Sequence, residues 1–159
     1  MRHAEAAGES TSFEDRDRAL TERGHADALK IAAEMKARAY VPDHILCSIA
    51  RRTKETCRHV TGTLGADILS RFEPGLYLAS ERTVLNIIRG TDAVIKAALV
   101  IGHNPGLEEL GAALDRDGPS PRFPPGALGV YTFDTDDWKA VAPGEASFKD
   151  FLTPIMLKD

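Results

Sequence analysis

Three short segments of this chain set arginine and histidine close together: Arg2-His3 near the start, Ser48-Ile-Ala-Arg-Arg-Thr-Lys-Glu-Thr56 in the middle, and Gly102-His103-Asn104-Pro105 late. An imidazole can serve as nucleophile, proton carrier or metal ligand near neutral pH. A guanidinium offers a planar fork of donors suited to phosphate or carboxylate. The charge distribution favours the anion reading, because Arg2, Arg18, Arg51, Arg52 and Arg58 all fall in the first 60 residues of a chain whose net charge is −4. An acidic protein with one basic pocket suits a compact anion, and its overall charge argues against nucleic acid as a partner. Each residue also has a plainer reading. Arg-His near a terminus is common, and His103 alone could cap a helix or sit in the core. His25, His44 and His59 have no motif around them and read as surface or structural. A metal site built on His3 and His103 is disfavoured, since nothing nearby supplies a third ligand at a recognisable spacing.

The elements that must position these residues follow from the apolar pattern. Residues 8 to 18 are polar and lack a period, which predicts a loop. Thr21 then offers an N-cap, and Ala28, Ile31, Ala32 and Met35 recur at helical spacing, predicting a helix that ends before Pro42. Ile45 to Ser48 reads as a buried strand; Cys57, Val60 and Leu64 mark one face of a second helix stopped by Gly65. Ile68 to Phe72 predicts another strand, and Ser80 caps a short helix carrying Val84, Ile87 and Ile88 up to Gly90. Ala97 to Gly102 is a continuous apolar run, the pattern of a parallel strand covered on both faces. After it, Asn104 is expected to cap a helix with Pro105 in its first turn, running to about Leu114, its N-terminal N–H groups aimed at any anion there. The segment from Asp115 to Gly126, rich in proline, is expected to be a loop. Leu128 to Phe133 and Trp138 to Val141 predict a late hairpin. The alternation specifies a three-layer α/β/α domain with a mostly parallel central sheet and that hairpin at one edge. Ligands bind beyond the carboxyl ends of such strands, which selects Ser48 to Arg52, Glu73 and His103-Asn104, with Met1 to Ala4 if a strand lies upstream.

At these residues the sequence resembles the histidine phosphatase superfamily (phosphoglycerate mutase-like fold), and within it the small SixA-like branch of phosphohistidine phosphatases. Arg2-His3-Ala4-Glu5 is similar to that family's Arg-His-Gly/Ala-Glu signature, and Asp15 with Arg18-Ala-Leu-Thr-Glu-Arg-Gly24 to its Asp-x-x-Arg-x-Leu-Thr-x-x-Gly segment. Ser48 to Thr56 resembles Ser-x-x-x-Arg-Thr-x-x-Thr, which selects Arg52 and leaves Arg51 as a solvated helix residue. Val100 to Gly106 resembles the second-histidine motif. The pattern spans residues 2 to about 110 in order.

The resemblance implies that His3 attacks phosphorus in line to give a transient phosphohistidine, which water then cleaves, dividing one hard displacement into two. It implies that Arg2, Arg52 and Arg18 hold the phosphoryl oxygens, with His103 contributing if protonated and Asn104 beside them, and that no metal or other cofactor is needed. Larger relatives use a carboxylic acid to protonate the leaving oxygen; Glu73 is the expected counterpart, with Glu5 and Glu81 behind it. A leaving imidazole needs little such help, because its conjugate acid has a pKa near about 6.5. The short chain also lacks the inserted helices that close small-molecule pockets in mutase-like relatives. Both features favour a phosphohistidine-bearing signalling protein as substrate and partner. Small phosphate esters, a pyrophosphate bond, or phosphate binding without turnover are the alternatives.

The 159 residues suffice for one domain over 1–159 with one core, burying roughly 70% of the unfolded surface. Cys47 and Cys57 show no zinc-like or redox spacing and read as buried thiols of a reducing compartment. The longest apolar run is far too short to span a membrane, so a cytoplasmic monomer without membrane contact is expected. In the family an apolar strand precedes the Arg-His pair, whereas here only Met1 does. That first core strand is therefore expected to be missing from the given sequence, or replaced by another part of the chain or a neighbour.

Overall fold

The computed structural model describes residues 1–8, 14–65 and 68–157, so residues 9–13 of the expected early loop lie outside the described residues. Helix α1 (Glu22–Ala37) starts where the sequence indicates: Thr21 caps it by accepting from the Gly24 N–H, and Ala28, Ile31, Ala32 and Met35 form its buried stripe. Strand β1 (His44–Ser48) runs into helix α2 (Arg51–Leu64), which Gly65 ends in the left-handed conformation at φ 63°. Strand β2 (Leu69–Glu73), helix α3 (Glu81–Arg89, capped by Ser80) and strand β3 (Ala98–Ile101) follow.

Strands β1, β2 and β3 form a parallel sheet in the order β2-β1-β3. Its two faces are covered separately, since alternate strand residues point to opposite sides. Ile45 and Cys47 pack with Ile31 and Met35 of α1 and with Cys57, Val60 and Leu64 of α2. Leu46 faces Val84 and Leu85 of α3 and Leu107, Leu110 and Leu114 of helix α4 (Gly106–Leu114). These are the three expected layers. Both cysteines are buried free thiols on the α1/α2 side.

The late part of the chain departs from expectation. Strand β4 (Leu128–Phe133) forms as indicated, but its antiparallel partner is β5 (Ala146–Leu152), not the Trp138–Val141 segment. Residues Trp138–Ala140 instead make a 3-10 turn, in which Trp138 donates its indole N–H to the Ile95 carbonyl at 2.8 Å and packs beside the α3/α4 cluster. Asn104 does not cap α4, because its amide is turned sideways onto the Phe123 carbonyl and Glu108; the helix begins two residues later, at Gly106.

The first residues join the two sheets. Arg2 bridges Gly102 in parallel, the His3 N–H donates to the Gly102 carbonyl, and the Arg2 N–H donates to the Ala127 carbonyl. Residues 1–3 therefore lie between the end of β3 and the start of β4. Behind them, a groove of about 560 Å³ separates the rest of these two strands. Among the described residues no helix is long and apolar enough to cross a membrane.

Candidate active site

The carboxyl ends of β1 and β3, the start of α2 and residues 2–4 meet at one point. His3 is stitched there by its own backbone: besides the Gly102 bond, the Gly126 N–H donates to the His3 carbonyl at 2.9 Å, and the Ala4 N–H donates to Thr56 Oγ1 at 3.1 Å. The Thr56 hydroxyl in turn donates to the Arg52 carbonyl, and the Thr53 hydroxyl ties the Ser48 and Ala50 carbonyls. The threonines of the middle motif thus anchor the strand-to-helix turn that carries Arg52.

His3 is 8% exposed, and its imidazole Nδ1 lies 2.7 Å from the Ala4 carbonyl. A carbonyl only accepts, so Nδ1 carries the proton and Nε2 keeps its lone pair. Arg52, buried on the first turn of α2, directs its Nε–H at that lone pair from 3.3 Å and its Nη2–H at Nδ1 of His103 from 3.3 Å. A guanidinium cannot accept, so Nδ1 of neutral His103 is the acceptor and its Nε2–H donates to Ser48 Oγ at 2.8 Å. The two imidazole rings stand 5.3 Å apart, and the edge of Tyr77 closes on His103 at 5.6 Å.

Burial pushes the His3 imidazolium down to about 4, with Arg52, Arg2 and Arg18 adding to the effect against the Ala4 bond. Burial, followed by His3 and Arg52, pushes His103 down to about 3. Both rings are neutral, so the positive charge there resides on the arginines. Arg2 donates through Nη1 to the Phe123 carbonyl, while its buried Nε has no hydrogen-bond partner among the described residues. Arg18 reaches Asp15 Oδ1 at 3.2 Å.

Asp15 is the carboxylate in this cluster. Its carbonyl accepts from Arg52 Nη1 at 2.7 Å, and its Oδ2 accepts from Arg52 Nη2 at 3.0 Å and from the Tyr77 hydroxyl at 2.6 Å. The Tyr77 bond leads the effects that hold its carboxyl below the usual range, so it is ionised. The sequence signalled Asp15 only as the head of a motif, and Tyr77 by nothing. The carboxylic acids put forward from sequence are not bonded into this cluster, although Glu73 stands in register beside Ser48. Glu73 ends β2 but pairs with Arg71, Glu5 accepts from the Thr21 hydroxyl, and Glu81 opens α3; among the described residues none has a hydrogen bond or ion pair with His3, Arg52 or His103. Asn104 sits at the rim, bonded to Glu108 and Phe123. Among the described residues no cluster of three or more His, Cys, Asp or Glu could hold a metal ion.

A neutral imidazole lone pair beside three guanidinium groups is the arrangement for attack on a phosphoryl group and for binding its oxygens. A family model for the histidine phosphatase superfamily (branch 1) matches residues 1–76. With the fold and motif order already described, the chain belongs to the histidine phosphatase superfamily, in its SixA-like branch, and is a phosphatase. It is similar to the protein histidine phosphatase SixA in its complex with tungstate, at 25% identity, with a TM-score of 0.84 over 99% of this chain and 97% of that one. It is also similar to a structure assigned to phosphohistidine phosphatase SixA from Agrobacterium tumefaciens, at 30% identity, with a TM-score of 0.79 over 97% of this chain and 95% of that one. An uncharacterized protein of Mycobacterium tuberculosis is 29% identical over 163 residues, covering 97% of this chain and 99% of that protein.

Proposed function

We propose that this phosphatase hydrolyses N-phosphohistidine on a signalling protein, working as a cytoplasmic monomer without a cofactor. His3 Nε2 attacks phosphorus in line, and the bond from phosphorus to the leaving imidazole nitrogen breaks with its electron pair passing to that nitrogen; the substrate ring already carries a solvent-derived proton on its other nitrogen and so departs as neutral imidazole. Water then cleaves phospho-His3, releasing inorganic phosphate and returning the neutral ring. Arg2, Arg18 and Arg52 hold the equatorial oxygens, and His103 joins them once the anion raises its proton affinity.

The observation that carries the substrate reading is the state of the acids. The carboxylate beside the site, Asp15, is held ionised, and Glu73 is paired with Arg71. Ionised Asp15 cannot protonate the alkoxide that a phosphate ester would expel. A phosphohistidine ring takes its proton from solvent near neutral pH and leaves as neutral imidazole without that help. The SixA proteins similar to this chain support the same reading. Initial rates on a histidine-phosphorylated phosphotransfer protein, compared with a panel of sugar and nucleotide phosphates, provide the test. The expected result is faster turnover of the phosphoprotein; preference for the panel would overturn the substrate assignment.

A further inference from the structure

Three donors are already gathered on one side chain at the edge of this site. Arg52 Nη2, Arg18 Nη1 and the Tyr77 hydroxyl all reach the carboxylate of Asp15, at 3.0, 3.2 and 2.6 Å. Arg52 is 3% exposed and directs three further N–H groups at His3, His103 and the Asp15 carbonyl. An incoming phosphoryl group therefore cannot take the fork of Arg52 without redirecting at least one of these bonds.

We infer that Asp15 is a positioning residue that also tunes product affinity: a tethered carboxylate resident on the arginine fork, which holds the fork in place and weakens its grip on phosphate. Arg18 and Arg52 bear directly on this carboxylate, with His3 and His103 neutral and Tyr77 uncharged, while Glu108 opposes the charge of Arg2. Asp15 offsets part of the positive charge that Arg18 and Arg52 bring to the site. Inorganic phosphate, the product, carries up to two negative charges at neutral pH, and the Arg52 fork would hold it more firmly with no carboxylate seated on it. The resident carboxylate repels that product at a few ångströms in a half-buried site, where Coulomb interactions are several times stronger than in water. Asp15 thus favours product release, and it does so whatever leaving group the substrate carries. Tyr77 keeps the carboxylate seated by its own hydrogen bond, while its ring packs against His103.

The test is calorimetric titration of the 159-residue chain with inorganic phosphate, together with product inhibition of its turnover of a small chromogenic phosphate. Asp15→Asn keeps the shape and removes the charge. It is expected to bind phosphate at least about tenfold more tightly, with stronger product inhibition and KM lowered more than kcat. Tyr77→Phe keeps the ring against His103 and loosens the carboxylate, so phosphate binding is expected to tighten in the same direction by about threefold. Unchanged or weaker phosphate binding in folded Asp15→Asn would overturn the inference, since a residue that only scaffolds Arg52 would loosen the site on removal. If that variant does not fold, Tyr77→Phe decides by the same sign. Because the probe is inorganic phosphate, the outcome is independent of whether phosphohistidine is the substrate.

Discussion

Arg52 Nε stands 3.3 Å from Nε2 of His3, so the donor that would hold a transferred phosphoryl group touches the nitrogen that would accept it. The same guanidinium reaches His103 and Asp15, and no ammonium can make these contacts together. Arg52→Ala is expected to cost at least about 2 kcal/mol of transition-state stabilisation, read as a fall in kcat/KM, by analogy with removal of one oxyanion donor. Arg52→Lys is expected to recover little of this. Near-normal kcat/KM in either variant would remove Arg52 from the site.

His3 supplies the covalent step in the proposed mechanism. His3→Ala is expected to abolish turnover and to leave no acid-labile phosphoenzyme after a rapid quench, while still binding inorganic phosphate through Arg2, Arg18 and Arg52. Retained phosphoenzyme would place the nucleophile elsewhere; loss of phosphate binding together with turnover would mean that the ring organises the site.

The buried histidines also set a pH dependence. His3 and His103 fall from an ordinary 6.5 to about 4 and about 3. In the unfolded chain both take up protons near 6.5, whereas the folded chain resists them, so stability is lost as pH falls from about 7 towards 4. Urea unfolding across that range is expected to show His103→Asn losing less stability than the parent, by at least about 1 kcal/mol. For the same reason the acid limb of kcat/KM should fall near pH 4. A limb at 6.5, measured with a substrate that does not itself titrate there, would mean that His3 is not desolvated.

Much of this site was legible because its parts are local. Thr21 and Gly65 bound their helices through contacts within one turn, and Ser48, Arg52, Thr53 and Thr56 lie on a single strand-to-helix turn. What stayed hidden depends on long-range geometry. Tyr77 meets Asp15 across 62 positions of sequence, and only the fold brings them together. Glu73 stands at a strand end, as the topology rule requires, yet its side chain is committed to Arg71, and the rule does not encode side-chain direction. Strand β5 escaped notice because the register shift between Val130 and Tyr131 pairs Val130 with Asp150 and Tyr131 with Phe148. That irregularity breaks the period-two alternation by which a strand is recognised. The apolar residues at 138–141 served a cluster from within a turn, which periodicity cannot distinguish from a short strand.

Gly24, the glycine that closes the second family motif, tests how α1 supports His3. A Cβ built there would lie 2.0 Å from the Glu5 carbonyl oxygen, an atom that already accepts the Thr21 N–H at 3.0 Å. The first turn of α1 therefore lies directly on the backbone that leads away from Arg2 and His3, and neither side is a flexible side chain that could yield. Gly24→Ala should improve intrinsic helix propensity by about 1 kcal/mol, so an exposed helical glycine would be stabilised by this change. Here the clash should dominate, with a net loss of about 2 kcal/mol or more in urea unfolding. At temperatures where the variant remains folded, the displaced segment should also lower kcat, because Glu5 is two residues from His3. A stability gain in Gly24→Ala would mean that the helix does not rest on this backbone, and the account of how residues 2–5 are held would fail.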